Sequence, residues 1–175
     1  MQMLAAGGFP VFSDDARPPD PDNPRGYFEC EFSKQLPRDA SWLHRARGRA
    51  VKLISELVLT LPPVFPYRFL LVSRDWGEVV RSQDAVLMRR GTPGGDWVAG
   101  RLARVYAAQF AELEDWLTAR PQSALLRVDY NALLCDPAPA VEAIATFLDA
   151  SMDRAAMAAV VEPGLYRQRR AAPEF

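Results

Sequence analysis

The stretch from Tyr67 to Ser82, Tyr-Arg-Phe-Leu-Leu-Val-Ser-Arg-Asp-Trp-Gly-Glu-Val-Val-Arg-Ser, constrains the fold more than any other part of the chain. Its first half, Tyr67 to Ser73, is a continuous apolar run of strand length, the pattern of a strand covered on both faces. The run stops at a charged pair, Arg74-Asp75. Asp75 and Glu78 then have the spacing of a capping box, which predicts a helix to about Arg90, ended by Gly91. A strand that turns directly into a helix is the opening of a parallel α/β unit. In such sheets ligands bind at the carboxyl ends of the strands, where helix amides also point. Arg74 adds a permanent cation at that place.

The remaining pattern alternates in the same way. Met1 to Ala6 is helical in character, closed by Gly7-Gly8 and followed by Pro10; Asp14 to Gly26 is a loop rich in Pro, Asp and Arg. Ala50 to Ile54 reads as a short strand and Ser123 to Val128 as a third. Asp96 to Arg120 is a long amphipathic helix on which Val98, Leu102, Val105, Phe110, Leu113 and Leu117 recur at helical spacing. Pro137 to Ala150 and Arg154 to Val161 are further helices. Strands separated by helices imply crossover connections, so the expected fold is one α/β domain over residues 1–175, a three-layer sandwich with a mostly parallel central sheet.

Composition narrows the function. With 175 residues, 49% of them hydrophobic, the chain has material for one sizeable core, and a net charge of -1 argues against general attraction to nucleic acid or to a membrane surface. The apolar run from Val51 to Leu61 is too short to span a bilayer and the N-terminus lacks a signal-like segment, so a cytoplasmic location is expected. Cys30 and Cys135 belong to no ligand pattern, so no metal is expected. His44, the single histidine, lies in Trp42-Leu-His-Arg-Ala-Arg47, which reads as a cation-rich surface helix. Leu165 to Phe175 reads as a basic tail carrying Arg167, Arg169 and Arg170.

Arg74 with Ser82 eight positions later, the segment Asp129-Tyr-Asn-Ala-Leu-Leu-Cys-Asp-Pro137, and the early Asp22-Asn-Pro-Arg-Gly-Tyr-Phe-Glu29 together resemble bacterial members of the sulfotransferase family. These are P-loop-type α/β proteins that use 3'-phosphoadenosine 5'-phosphosulfate (PAPS). The resemblance implies that Arg74 and Ser82 hold the 3'-phosphate of that cofactor, through forked charge-assisted bonds and a hydroxyl. It implies that Tyr130 lies beside the adenine and that Arg167 and Arg169 close over the phosphate. It also implies that Lys52 stabilises charge on the leaving phosphate. Glu29, Glu31 and Ser55 are candidates to take the proton of a small-molecule acceptor, with Lys52 and Glu29 as the catalytic assignments. The acceptor pocket would be shaped by the loop from Asp22 to Glu31 and the turn from Gly91 to Asp96.

The chain departs from the family pattern in several places. Asn131 stands where the family has Glu, and Ile54 stands two positions after Lys52 where it often has a catalytic His. The first strand and its Gly-Ser-rich phosphate loop are missing, which leads to the expectation that the loop lies upstream of Met1. Two readings therefore stay open: a sulfotransferase moving a sulfuryl group from PAPS to a hydroxyl or amine, and a degenerate, non-catalytic nucleotide-binding or partner-dependent α/β module. Residue by residue, Arg74 also reads as a surface cation, Tyr130 as a ring capping the sheet, and Lys52 as a strand-end lysine reaching solvent.

Overall fold

The computed structural model describes residues 1–14, 16–20, 23–89, 91 and 96–162. The described chain is mixed α/β and about half helical. Its elements are α1 (Gln2–Ala6), α2 (Ser55–Val58), β1 (Arg68–Ser73), α3 (Trp76–Arg89), α4 (Asp96–Thr118), β2 (Ala124–Asp129), α5 (Tyr130–Cys135), α6 (Pro137–Leu148) and α7 (Arg154–Ala159), with short 3-10 turns at Glu31–Gln35 and Ser41–His44.

Aspartates start four of these helices. The side chain of Asp75 accepts from the Glu78 N–H at 2.9 Å, Asp129 from Ala132 at 2.9 Å, Asp136 from Ala138 at 3.1 Å and Asp153 from Ala156 at 2.9 Å. Each bond satisfies an amide that has no partner inside its own helix. Pro137 follows the Asp136 cap in the first turn of α6, where its missing N–H costs nothing.

β1 and β2 pair in parallel from Arg68 opposite Ala124 to Ser73 opposite Asp129. Alternation divides their side chains between two faces. Leu70, Leu126 and Val128 meet a cluster formed by Met3 and Leu4 of α1, Val141, Ile144 and Ala145 of α6, and Met152 and Met157. Phe69 and Tyr67 meet the second cluster, made by Phe12, Cys30, Leu36, Trp42, Ala46 and Leu61. On this second face Arg127 also pairs with Glu114 of α4. Met157 is completely buried, and enclosing a side chain of that size is worth about 1.5–3 kcal/mol.

Gly7 is required by that packing. A Cβ there would stand 2.6 Å from Met157 Cγ and 3.0 Å from Met152 Cε. Gly8, with φ +85°, supplies the left-handed turn that ends α1.

The structure corrects several sequence expectations. The sheet has two strands among the described residues instead of a wider central sheet. Ala50 to Ile54 is not a strand: Ala50 makes a single parallel bridge with Val11, through Phe12 N–H to Ala50 C=O at 2.9 Å and Ala50 N–H to Pro10 C=O at 2.8 Å. Pro10 has no N–H to continue such a ladder, and the chain then turns into α2. β1 is not covered on both faces, since Val72 is 54% exposed. The Trp42 segment is a 3-10 turn that buries Trp42 at 4% exposure and leaves His44 outside, edge-on to Phe65. No helix among the described residues is long and apolar enough to cross a membrane. The expected basic tail at 165–175 lies outside the described residues.

Candidate functional site

The register of the two strands decides which groups meet at their carboxyl ends. Ser73 and Asp129 are partners, so Arg74 and Tyr130 are the next residues out of each strand. The Arg74 guanidinium lies 5.2 Å from the centre of the Tyr130 ring, within cation–π range. Residues 56 positions apart are thereby juxtaposed by strand pairing alone.

Glu78 fixes this arrangement from below. Its side chain is 1% exposed, and its Oε2 accepts from Arg74 Nε at 3.2 Å and from Asn131 Nδ2 at 2.9 Å. The Asn131 Oδ1 in turn accepts from the Asp75 N–H at 3.1 Å. A buried carboxylate needs this compensation, because desolvation of an unpaired charge costs several kcal/mol. The capping-box spacing of Asp75 and Glu78 is thus only half used: Asp75 caps α3, while the Glu78 carboxylate turns to Arg74 and Asn131. The same network explains Asn131. A glutamate there would have no donor for Glu78 and would set two carboxylates against each other, whereas the amide donates to one group and accepts from another.

Ser82 lies four residues beyond Glu78, about 6 Å further along α3 on the same face, given a rise of about 1.5 Å per residue. It is half-buried and shares the Glu78 face of α3, while Arg74 precedes the helix and reaches that face through its bond to Glu78.

Lys52 and Glu29 form a second pair. Lys52 Nζ donates to the Tyr27 carbonyl at 3.0 Å and lies 3.4 Å from Glu29 Oε1. Lys52 therefore comes off an irregular segment and is held by the 27–29 loop, not presented from a strand end as expected. The loop is anchored by Asp14, whose carboxylate accepts from the Glu31 N–H at 2.6 Å and from the Ala16 N–H at 3.1 Å. The Glu31 amide, with help from Ala16, holds the Asp14 carboxyl below its usual range. Ser13 Oγ donates to the Glu29 carbonyl at 3.0 Å.

Of the other proton-acceptor candidates, Glu31 pairs with Lys34 at 2.5 Å and Ser55 Oγ donates to Glu56 at 3.1 Å, both at exposed positions. Arg167 and Arg169 lie outside the described residues, as do Asp22 and the turn residues 92–95. Among the described residues no group of three His, Cys, Asp or Glu side chains is placed to hold a metal ion.

Two features of the site escaped the sequence. Glu78 could have been found, because its four-residue spacing from Arg74 is that of a helical ion pair. Arg17 could not: its guanidinium lies 3.3 Å from the Tyr27 ring centre, a contact that depends on how the loop folds back on itself.

Fold and site together define a mixed α/β protein with a cation and a ring gathered at the carboxyl ends of a parallel strand pair. No protein-family model matches this chain, and the curated proteins and solved structures give no match to it.

Proposed function

We propose that the chain is a sulfotransferase-like protein that binds PAPS at the carboxyl ends of β1 and β2 and acts on a hydroxyl or amine of a small-molecule acceptor. The observation that carries this reading is the placement of Arg74 over Tyr130 where the two strands end, just ahead of the helix α3 that carries Ser82. Arg74 and Ser82 are the groups for the 3'-phosphate, and the Tyr130 ring is the surface for the base. Glu78 orients the guanidinium through Nε, so less side-chain entropy is lost when an anion binds. PAPS supplies the activated sulfuryl group. In this reading Lys52 balances negative charge developing on the leaving phosphate, and Glu29 takes the proton from the acceptor.

A second reading is favoured by the burial of Glu78. Here the Arg74–Glu78–Asn131 network is a clasp joining α3 to α5, and the chain is a non-catalytic α/β module.

Calorimetric titration with 3',5'-adenosine bisphosphate and with ATP separates the two. The sulfotransferase reading expects preference for the bisphosphate, at least tenfold weakening in Arg74→Ala, and a smaller loss in Ser82→Ala, a change that leaves Glu78 paired. Equal affinity for ATP, or unchanged bisphosphate binding in both variants, refutes it.

A further inference from the structure

Strand pairing fixes which backbone groups β1 leaves over. The Ala124 N–H donates to the Tyr67 carbonyl at 2.9 Å, so Tyr67, Phe69 and Leu71 turn their backbone groups towards β2. Arg68, Leu70 and Val72 alternate with them and turn theirs away from it. Among the described residues, the N–H and C=O groups of these three make no backbone hydrogen bond outside the strand pair. Such an edge, with donors and acceptors at strand spacing, is a template for one further strand.

The side chains at this edge show that it is open. Arg68, Leu70 and Val72 share the face of the sheet that carries the Met157 cluster. Leu70 packs against that cluster, but the covering runs out at Val72, which is 54% exposed where its β2 partner Val128 is 6% exposed. Arg68 is exposed too, with its guanidinium bonded to the Leu148 carbonyl.

We propose that this edge pairs with the same edge of a second copy of the chain, antiparallel about a two-fold axis at Leu70. In that register Leu70 faces Leu70 of the second copy, and Arg68 faces its Val72 at either end. All are hydrogen-bonded positions of an antiparallel ladder, so three facing pairs make about six backbone bonds, two per pair. No like charges stand opposite one another, and the exposed Val72 meets the aliphatic stem of Arg68. The two Leu70 side chains join the Met157 clusters of both copies into one apolar face. The next pair outwards is Pro66 with Arg74. Pro66 has no N–H, so the ladder ends there and Arg74 stays with Glu78 and Tyr130. The edge of β2 is unsuited to the same contact: a two-fold axis at Arg127, whose backbone groups turn outwards, would set two guanidinium groups opposite each other. Any extended peptide offers the same backbone groups; the second copy is selected because this edge is complementary to itself. The association is independent of what binds at Arg74.

The test is sedimentation equilibrium of the full 175-residue chain over a range of concentrations, with amide exchange read residue by residue by NMR. A reversible monomer–dimer equilibrium is expected, with dimer detected below about 0.5 mM. Protection of the Leu70 and Val72 amides should rise with concentration, while the Phe69 and Leu71 amides, already bonded to β2, stay unchanged. Val72→Lys sets a lysine opposite Arg68; it is expected to keep the melting temperature of the dilute monomer and to weaken the dimer by about tenfold or more. Adding Arg68→Glu should restore the dimer, because glutamate then faces lysine at both ends. If Val72→Lys does not fold, Val72→Pro, which removes one outward N–H from each copy, reads the same loss. A parent chain monomeric up to that concentration, species that grow beyond the dimer, or a dimer indifferent to Val72→Lys would overturn the proposal. So would an Arg68→Glu, Val72→Lys chain that stays monomeric.

Discussion

Replacing Glu78 with alanine removes a carboxylate that is 1% exposed and bonded to both Arg74 and Asn131. Breaking one side of a buried ion pair costs about 3–5 kcal/mol. Arg74 keeps some contact with water, its side chain being 24% exposed, which places the loss near the lower end, about 3 kcal/mol. With a urea m-value of about 2 kcal/mol/M, the unfolding midpoint should fall by about 1.5 M. Urea titration followed by circular dichroism reads this directly. The second arm is the double variant Arg74→Met with Glu78→Leu, which removes both charges. An apolar replacement of a buried pair is often close to neutral, so the double variant should be more stable than Glu78→Ala by at least about 1 kcal/mol, the Asn131 amide being the remaining loss. A midpoint shift below about 0.3 M for Glu78→Ala, or losses in Arg74→Met and Glu78→Leu that simply add in the double variant, would refute the view that Glu78 is a buried counter-ion.

Gly7→Ala should destabilise by about 1–3 kcal/mol through overpacking against Met157, read as a lowered melting temperature, and the same change should cost less when made in a Met157→Ala background. Acid titration tests the Asp14 anchor. Its folded-state pKa is depressed, so its contribution is present above the unfolded value and is lost as pH falls through the folded one; Asp14→Asn should lose stability at neutral pH and differ least from the parent at the acid end.

Local signals were the most legible part of the fold. Asp75, Pro137 and the glycines after Ala6 mark helix ends because capping, a first-turn proline and left-handed turns depend on a few adjacent residues. β1 and β2 were visible as apolar runs. Ala50 to Ile54 misled because its apolar residues serve the second core cluster from an irregular segment: Val51 and Leu53 pack there while Ile54 is 60% exposed, which imitates a strand pattern without a ladder. The helix Tyr130–Cys135 was missed because Asp129 serves as both the last residue of β2 and the cap of α5. In the candidate site, Arg74, Ser82, Tyr130, Lys52 and Glu29 were legible as residue types, but their partners were not.

The sequence by itself determined where the longer helices lie, which segments are apolar enough for a core, and where a cation follows a strand, since these follow from propensity and periodicity over a few residues. Only the tertiary structure decided that Arg74 meets Tyr130, that Glu78 is a buried counter-ion shared with Asn131, and that Lys52 meets Glu29. Those outcomes depend on strand register and loop closure between residues 23 to 56 positions apart, and no local pattern specifies which polar groups will be left to satisfy one another once the core has closed.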